Sequence, residues 1–271
     1  MYASPDALPT QPPPGEPPGP DETLDRLLGD WWIFQLARGH RFSTDDLLTG
    51  WRAAQAVPQA RRCLDLGCGI GSVGLYTLGV LGHADATLVG IEAQDVSIGL
   101  ARRSVARNGL QARVTLLHGD LRDAAVLPEA LRPVGGFDLV TGSPPYIPLG
   151  KGLVSPHPQR AACRMELRGS VFDYAATAAP LLAPHGRFVF VMSARDPRTE
   201  AAPVEAGLVV VHRLDVVFRE GETPMIAVLT CARADAPDRA PRVDETLLVR
   251  EASGAFSPAY AALRAGLGFR R

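Results

Sequence analysis

Strand-like and helix-like segments alternate along most of this chain, and that alternation limits the folds open to it. An apolar run at residues 62–66 stops at Gly67 and is followed by helical patterning at residues 73–81. Further strands are predicted at residues 86–91, 113–118, 137–141 and 186–192, and further helices at residues 96–108 and 171–182. Because a helix between two strands makes them parallel neighbours, the sequence predicts a parallel sheet covered by helices on both faces.

Two more strands are predicted near the end of this pattern. Residues 209–218 and 225–231 are apolar runs separated by a short polar turn, which is typical of an antiparallel hairpin. We therefore expect an α/β fold with a doubly wound, seven-stranded, mostly parallel sheet that ends in an antiparallel hairpin. In such a sheet, ligands bind outside the carboxyl ends of the strands.

The chain divides into three parts by composition. Its 271 residues with 46% hydrophobic content suit a single sizeable core, which we assign to residues 21–231. Residues 1–20 are rich in proline and predicted to be a disordered tail. Residues 232–271 are predicted to be a linker followed by a C-terminal extension with strand-like and then helical patterning.

Charge and apolar content exclude several classes of protein. No stretch approaches about 18 uncharged apolar residues and the N-terminus lacks a signal-peptide pattern, so we expect a cytoplasmic protein with no membrane segment. The four cysteines are too scattered for a zinc site, so we expect free thiols in a reducing compartment and no metal. A formal net charge of −1 neither supports nor excludes a nucleic-acid partner.

The ends of the first three strands carry residues suited to a nucleoside. The sequence Asp-Leu-Gly-Cys-Gly-Ile-Gly (residues 65–71) leads from the first strand into a helix, and glycines there permit a tight turn and close approach of a ligand. Glu92 follows the second strand, where a carboxylate can accept hydrogen bonds from both ribose hydroxyls. Asp120 follows the third strand, within reach of an adenine amino group. Taken singly, these motifs also fit a plain strand-to-helix turn and exposed loop acids.

The fourth strand is followed by Ser143-Pro144-Pro145-Tyr146. Two prolines fix φ and remove two N–H donors, which leaves carbonyl oxygens facing outward. Ser143 Oγ and the Pro144 carbonyl can then accept both hydrogens of a planar amino group while Tyr146 stacks on its flat face. Alone, the tetrapeptide fits a proline-rich surface turn equally well. Its position at the same sheet edge as the nucleoside residues favours a site for methylating a planar nitrogen.

Together these motifs resemble the class I S-adenosylmethionine-dependent amino-methyltransferases, whose fold is Rossmann-like. The resemblance covers roughly residues 60–231 and rests on DLGCGIG, IEAQ, HGD and SPPY. It implies S-adenosylmethionine as the cofactor, bound by Asp65, Gly67, Cys68, Gly69, Gly71, Glu92 and Asp120. It implies that Ser143, Pro144, Pro145 and Tyr146 hold the target nitrogen as the catalytic loop.

Flanking segments are similar to the bacterial tRNA1(Val) adenine-N6 methyltransferases, which modify an adenine beside the anticodon. They are residues 33–35 and 39–48 before the glycine loop, and residues 147–152, 155–156, 162–166 and 181–187 after it. The resemblance implies N6-methylation of an adenine in tRNA, and so a role in tRNA processing through nucleic-acid binding. Lys151, Arg160, Arg164 and Arg168 are candidate contacts to RNA phosphates, although they equally fit a solvated loop and helix start.

Other substrates stay open at this point. The related tRNA enzymes usually carry Asn at the position of Ser143, so the placement of the substrate can differ. A carboxamide nitrogen fits the same loop, which makes a protein-glutamine methyltransferase the main alternative. Against it, the segment between the tail and the glycine loop is too short for a separate helical recognition domain. Methylation of amino groups in DNA or ribosomal RNA, and an inactive cofactor-binding interaction module, are further alternatives. The oligomeric state is not predicted.

Overall fold

The computed structural model describes residues 11–12, 14–148, 150–151 and 154–269. In this part of the chain the strands are β1 (Glu22–Leu28), β2 (Trp31–Leu36), β3 (Arg62–Leu66), β4 (Thr87–Glu92), β5 (Val114–His118), β6 (Phe137–Gly142), β7 (Leu182–Ser193), β8 (Leu208–Arg219), β9 (Ile226–Arg233) and β10 (Val243–Arg250). The α-helices are α1 (Thr44–Ala56), α2 (Ser72–Leu81), α3 (Asp95–Arg107), α4 (Pro158–Arg164), α5 (Val171–Ala178), α6 (Arg198–Glu205) and α7 (Pro258–Gly266).

The main sheet is mostly parallel. Among the described residues it has eight strands in the order β10-β8-β9-β7-β6-β3-β4-β5, and only β9 runs antiparallel to its neighbours. The predicted α/β class, with its closing antiparallel hairpin of β8 and β9, is confirmed. The expected number of seven strands was wrong, because β10 from the C-terminal extension pairs in parallel with β8, placing Val243 opposite His212.

Helices cover both faces of the sheet, as the alternating pattern predicts. On one face, α1, α2 and α3 contribute Leu48, Tyr76 and Leu100 to a buried cluster. On the other face, α5 and α6 contribute Tyr174 and Ala202 to a second cluster. Since β3 and β6 lie in the middle of the sheet and are covered on both sides, their carboxyl ends are fixed in position.

The helix expected at residues 171–182 is shorter than predicted. Helix α5 ends at Ala178, a 3-10 turn spans residues 179–181, and β7 begins at Leu182. Pro180 explains the early end, since proline lacks the N–H that an α-helix needs. The pairing of β7 with β6 shifts at this point, since Phe137 pairs with Leu182 whereas Leu139 pairs with Arg187.

An antiparallel hairpin of β1 and β2 precedes α1, and the sequence pattern predicted neither the hairpin nor the helix. The hairpin is fixed to α3 by side chains that satisfy its free edge. Asn108 accepts a hydrogen bond from Trp32 N at 2.8 Å and donates to the Trp32 carbonyl at 2.7 Å, and Ser104 Oγ accepts from Phe34 N at 2.9 Å. These contacts take the place of a third strand.

Both ends of the described chain pack onto this domain. Residues 1–10 and 13 of the predicted disordered tail lie outside the described residues, whereas Glu16 forms an ion pair with Arg103 of α3 at 2.8 Å. Beyond the predicted linker, the extension supplies β10 and α7, and Leu267 accepts a hydrogen bond from Gly29 N at 3.3 Å. Within the described residues, no helix is both long and apolar enough to cross a membrane.

Candidate functional site

A cavity of about 290 Å³ lies at the carboxyl ends of β3, β4, β5 and β6. The walls include nearly all the residues singled out from the sequence as cofactor or acceptor contacts. These are Asp65, Gly67, Cys68, Gly69, Glu92, Asp120, Ser143, Pro144, Pro145 and Tyr146. Gly71 lies just beside the cavity, where it caps the N-terminus of α2. The structure therefore brings the predicted donor and acceptor residues together at one sheet edge.

The glycine loop between β3 and α2 needs glycine for two separate reasons. At Gly67, φ is 58° and an added Cβ would lie 1.9 Å from the hydroxyl of Tyr174, so neither the conformation nor the space accepts a side chain. At Gly69, φ is 57° and a Cβ would meet no atom within 4 Å. The open space above Gly69 belongs to the cavity, so the backbone itself forms that wall.

Glu92 is fixed by backbone donors at the end of β4. Its Oε2 accepts a hydrogen bond from Gly69 N at 2.9 Å, and its Oε1 accepts from Gln94 N at 2.7 Å. The residue is only 6% exposed, and burial raises the pKa of its carboxyl despite these hydrogen bonds. Each carboxylate oxygen still has a lone pair for a second donor. Glu92 can therefore accept two hydroxyl hydrogen bonds while it stabilises the glycine loop.

Asp65, near the end of β3, stabilises the glycine loop. The side chain is 1% exposed, and it accepts hydrogen bonds from Thr141 Oγ1 at 2.8 Å and from Gly74 N at 3.0 Å. Burial raises the pKa of Asp65 to about 7. Asp65 thus joins β3 to β6 and to the first turn of α2, and it lies deep in the cavity wall.

Asp120, at the third strand end, is in a different electrostatic setting. Arg122 donates from its backbone N and Nε, each at 2.9 Å, to Asp120 Oδ1. These hydrogen bonds and the arginine charge lower the pKa of Asp120, so the carboxyl is ionised at neutral pH. An ionised carboxylate at this wall is suited to accept a hydrogen bond from an amino group.

The acceptor loop begins immediately after β6. Ser143, Pro144 and Pro145 form its first part, and Tyr146 is half-buried at its end. The Tyr146 hydroxyl donates to Asp45 Oδ2 at 2.8 Å. Burial and the neighbouring Asp45 charge raise the pKa of Tyr146 well above its usual value, so the phenol stays protonated and remains a donor.

Sequence reasoning missed several residues of this site. Asp45 and Asp46, at the start of α1, both line the cavity, and so does Tyr174 of α5. Asp46 is 5% exposed and accepts from Ser43 N at 2.7 Å and from Ser72 Oγ at 3.1 Å. The signal available was the segment at residues 39–48, which carried the family resemblance but no assigned chemistry.

The four basic residues considered for RNA lie in different environments. Arg164 is exposed and lines the cavity, whereas Lys151 is exposed outside it. Arg168 lines the cavity at the Glu92 side and donates to the Ala93 carbonyl. Arg160 donates to the carbonyls of Arg38 and Gly39 at 2.8 and 3.1 Å, so its guanidinium also holds α4 against the β2–α1 connection. Arg164 and Arg168 therefore line the cavity, whereas Lys151 and Arg160 do not.

The residues present fit S-adenosylmethionine. The open wall at Gly69 leaves room for a ligand against the backbone, and Glu92 offers two carboxylate oxygens for a ribose. Asp120 lies on the same cavity wall for the base. The acceptor loop borders the same space, as methyl transfer requires.

Comparisons with known proteins agree with this geometry. Residues 42–147 match the family model "Methyltransferase small domain". The chain is 30% identical over 239 residues to the tRNA1(Val) (adenine(37)-N6)-methyltransferase of Porphyromonas gingivalis, covering 85% of this chain and 89% of that protein. It is also 38% identical over 98 residues to the release factor glutamine methyltransferase of Geobacter sulfurreducens, covering 35% of this chain and 30% of that protein.

Among solved structures, a predicted O-methyltransferase from Agrobacterium tumefaciens superposes with a TM-score of 0.59 at 22% identity. The match covers 84% of this chain and 98% of that one, which confirms the fold. The Porphyromonas gingivalis relative and the family model both indicate methyl transfer, and the cavity is lined by residues suited to S-adenosylmethionine. The chain belongs to the family of S-adenosylmethionine-dependent methyltransferases to which the Porphyromonas gingivalis enzyme belongs.

Proposed function

We propose that this methyltransferase acts on the N6 amino group of an adenine in tRNA, in the anticodon loop. The observation that carries the proposal is the shared cavity, which is lined both by the Ser143-Pro144-Pro145-Tyr146 loop and by Glu92 and Gly69. The relative that matches over 85% of this chain is named for methylation of adenine 37 in a tRNA. A tRNA substrate also implies that the enzyme works in the cytoplasm.

The acceptor loop acts mainly by orientation. Ser143 Oγ and the Pro144 carbonyl accept the two hydrogens of the target amino group, and Tyr146 stacks on the base. These hydrogen bonds favour a pyramidal nitrogen and aim its lone pair into the cavity. When bound, S-adenosylmethionine supplies an electrophilic methyl group on its sulfonium.

The proton needs no dedicated base in this arrangement. After transfer the amino nitrogen is cationic and therefore acidic, so its proton can leave to solvent. The ionised Asp120 and the buried Glu92 serve in binding the nucleoside part of the cofactor, since both are held by hydrogen bonds in the wall of the cavity. The chain's contribution to rate comes from holding the two reacting atoms close together and in line.

The N-terminal part of the structure favours RNA over a protein-glutamine substrate. Residues 22–36 form a two-stranded hairpin fixed to α3, and no separate helical domain lies among the described residues that precede the glycine loop. The release-factor methyltransferase matches only 35% of this chain, whereas the tRNA methyltransferase matches 85%. Arg164 at the cavity mouth is suited to a phosphate of a flipped-out nucleotide.

The test measures methyl transfer to three substrates. Purified protein is incubated with S-adenosylmethionine labelled in its methyl group and, separately, with tRNA from a strain lacking the modification, with duplex DNA and with a release factor. We expect label in tRNA alone, and digestion of that tRNA should yield N6-methyladenosine. Label on the release factor alone would exclude the RNA proposal.

A further inference from the structure

The Tyr146 side chain is held by a residue from a distant part of the chain. Its hydroxyl lies 2.8 Å from Asp45 Oδ2, and the two residues are 101 positions apart. Asp45 is the second residue of α1, and its carboxylate lines the same cavity as the acceptor loop. This hydrogen bond holds the end of the Tyr146 side chain that lies farthest from the backbone.

Asp45 is itself held on a fixed support. Ser43 caps α1 and accepts a hydrogen bond from Asp45 N at 3.2 Å, while Thr49 Oγ1 donates to the Asp45 carbonyl at 2.7 Å. The adjacent Asp46 ties the same turn to Ser72, the first residue of α2. The first turn of α1 is therefore connected to the start of α2, and the backbone of Asp45 has a defined position.

The backbone end of Tyr146 is held independently. Arg198, the first residue of α6, donates to the Tyr146 carbonyl at 3.5 Å. Its guanidinium is fixed by Asp196 at 2.6 Å and by Glu166, and the backbone N of Glu166 donates to the Ile147 carbonyl at 3.0 Å. Tyr146 is thus bound at its main chain by one element and at its hydroxyl by another.

This double attachment matters because the loop has few means of fixing the ring on its own. Pro144 and Pro145 have no N–H, so they cannot donate hydrogen bonds that would anchor the segment before Tyr146. An aromatic ring attached only at its Cα can rotate about two side-chain bonds. Stacking on a flat substrate needs one ring orientation. The ring packs against both hydrophobic clusters, and the Asp45 contact fixes its hydroxyl end.

We propose that Asp45 is a positioning residue for methyl transfer: through the Tyr146 hydroxyl, it sets the plane of the ring against which the target base stacks. The proposal deepens the proposed function and rests on it, since it assigns how the acceptor loop orients its substrate. Asp45 acts through Tyr146 and needs no contact of its own with the base.

The kinetic test is a double-mutant cycle. Asp45→Ala, Tyr146→Phe and the double variant each remove the hydrogen bond between Asp45 and Tyr146, and Tyr146→Phe also removes the contact of the hydroxyl with Ser143. We expect kcat on tRNA to fall about 10- to 100-fold in each single variant, because small misplacements of reacting groups have effects of this size. The double variant should be no slower than Tyr146→Phe, since both changes break one interaction. Asp45→Asn keeps an acceptor oxygen, so its kcat should stay within about threefold of wild type.

Two measurements separate positioning from loss of fold. The dissociation constant for S-adenosylmethionine and the melting temperature should be unchanged in Asp45→Ala. The control is Asp235→Ala, because Asp235 is exposed, pairs with Arg233 and lies outside the cavity; it should leave kcat as in wild type. Multiplicative effects of Asp45→Ala and Tyr146→Phe, or a wild-type kcat for Asp45→Ala, would overturn the proposal.

A crystal structure of Asp45→Ala provides a readout without substrate. We expect the Tyr146 ring to leave the orientation it has in wild-type crystals, while the backbone at Arg198 stays in place. An unchanged ring would reject the role of Asp45 even if tRNA proved to be the wrong substrate. Conversely, a moved ring in an enzyme that does not methylate tRNA would reject the substrate and leave the positioning role intact.

Discussion

Two parts of the cavity are stabilised in different ways: the donor wall, formed by Asp65, Gly69 and Glu92, and the acceptor loop, formed by residues 143–146. At the donor wall, carboxylates accept backbone hydrogen bonds from nearby residues: Gly69 to Glu92 spans 23 positions, and Gly74 to Asp65 spans nine. At the acceptor loop, side chains from elsewhere hold Tyr146: Asp45 is 101 positions away and Arg198 is 52. The donor wall is thus held mainly by backbone donors that are close in sequence, with one further hydrogen bond to Asp65 from Thr141, 76 positions away. The acceptor loop depends on how α1 and α6 pack.

This difference separates the two measurable properties of the enzyme. Changes in the donor wall should act first on cofactor affinity and on folding, because its residues line the proposed cofactor site and also accept backbone hydrogen bonds. Changes at the acceptor loop should act on the rate of transfer and spare the affinity for cofactor. The following variants test that separation, from the largest expected effect to the smallest.

Tyr146→Ala should give the largest loss. Removing the ring eliminates stacking worth about 1–3 kcal/mol and the orientation it provides, so kcat/KM on tRNA should fall about 1,000-fold. The dissociation constant for S-adenosylmethionine, measured by calorimetry, should change less than about twofold. A large loss of cofactor affinity would show that the two regions are not separable.

Asp65→Asn should change how stability depends on pH. The pKa of Asp65 is about 7 in the folded protein against 3.8 as its ordinary value. A raised pKa means that the contribution of Asp65 to stability is greatest below about pH 4 and is lost as the pH rises towards 7. Asn does not titrate. The free energy of unfolding of the variant, measured with urea, should therefore rise relative to that of wild type across this range, by roughly 4 kcal/mol at most.

Asp138→Asn is the control of opposite sign for that experiment. Burial raises the pKa of Asp138, but hydrogen bonds from Arg61 and Arg62 outweigh it and lower the pKa overall. The contribution of Asp138 is therefore present at neutral pH and lost in acid. This variant should lose stability relative to wild type as the pH rises. If stability relative to wild type changed with pH in the same direction for both variants, the opposite pKa shifts of Asp65 and Asp138 would be contradicted.

Glu92→Ala should weaken cofactor binding without a matching change in chemistry. In the proposed binding mode the variant loses two hydrogen bonds to the ribose, and it also loses the support of Gly69, so the dissociation constant should rise about 100-fold. At saturating S-adenosylmethionine, kcat should recover to within about threefold of wild type. A kcat that stays low at saturation would place Glu92 in the chemical step.

Ser143 is expected to give the smallest effect. In the proposed geometry, Ser143→Ala removes one neutral hydrogen bond from the target amino group, which should lower kcat about 3- to 10-fold. Ser143→Asn restores an acceptor oxygen and should bring kcat back to within about threefold of wild type, with cofactor affinity unchanged in both. If Asn were slower than Ala, the pocket would be shaped specifically for the shorter side chain.

The donor wall and the acceptor loop also differ in how well the sequence predicts them. The glycine loop, Glu92 and Asp120 follow strands that the apolar runs predict, and parallel strands bring their ends to one edge. Asp45 and Arg198 lie outside any such motif, because only the packing of α1 and α6 brings them to Tyr146. The hairpin of β1 and β2 was missed for a similar reason, since its edge is satisfied by side chains of α3. β10 was recognised as strand-like, but its pairing with β8 depends on the fold of the whole sheet.

The contact between α7 and α1 links the C-terminal extension to the geometry around Asp45. Tyr260 of α7 lies with its hydroxyl 3.4 Å from Thr44 Oγ1, directly before Asp45, and its side chain is 2% exposed. Since a ribosome makes the chain from its N-terminus, this contact can form only after α7 has been synthesised. The sheet and both wall motifs precede it, so a protein truncated before α7 would keep every recognisable motif yet lack this support for Asp45. Truncation would then appear as slow turnover before it appears as lost cofactor binding.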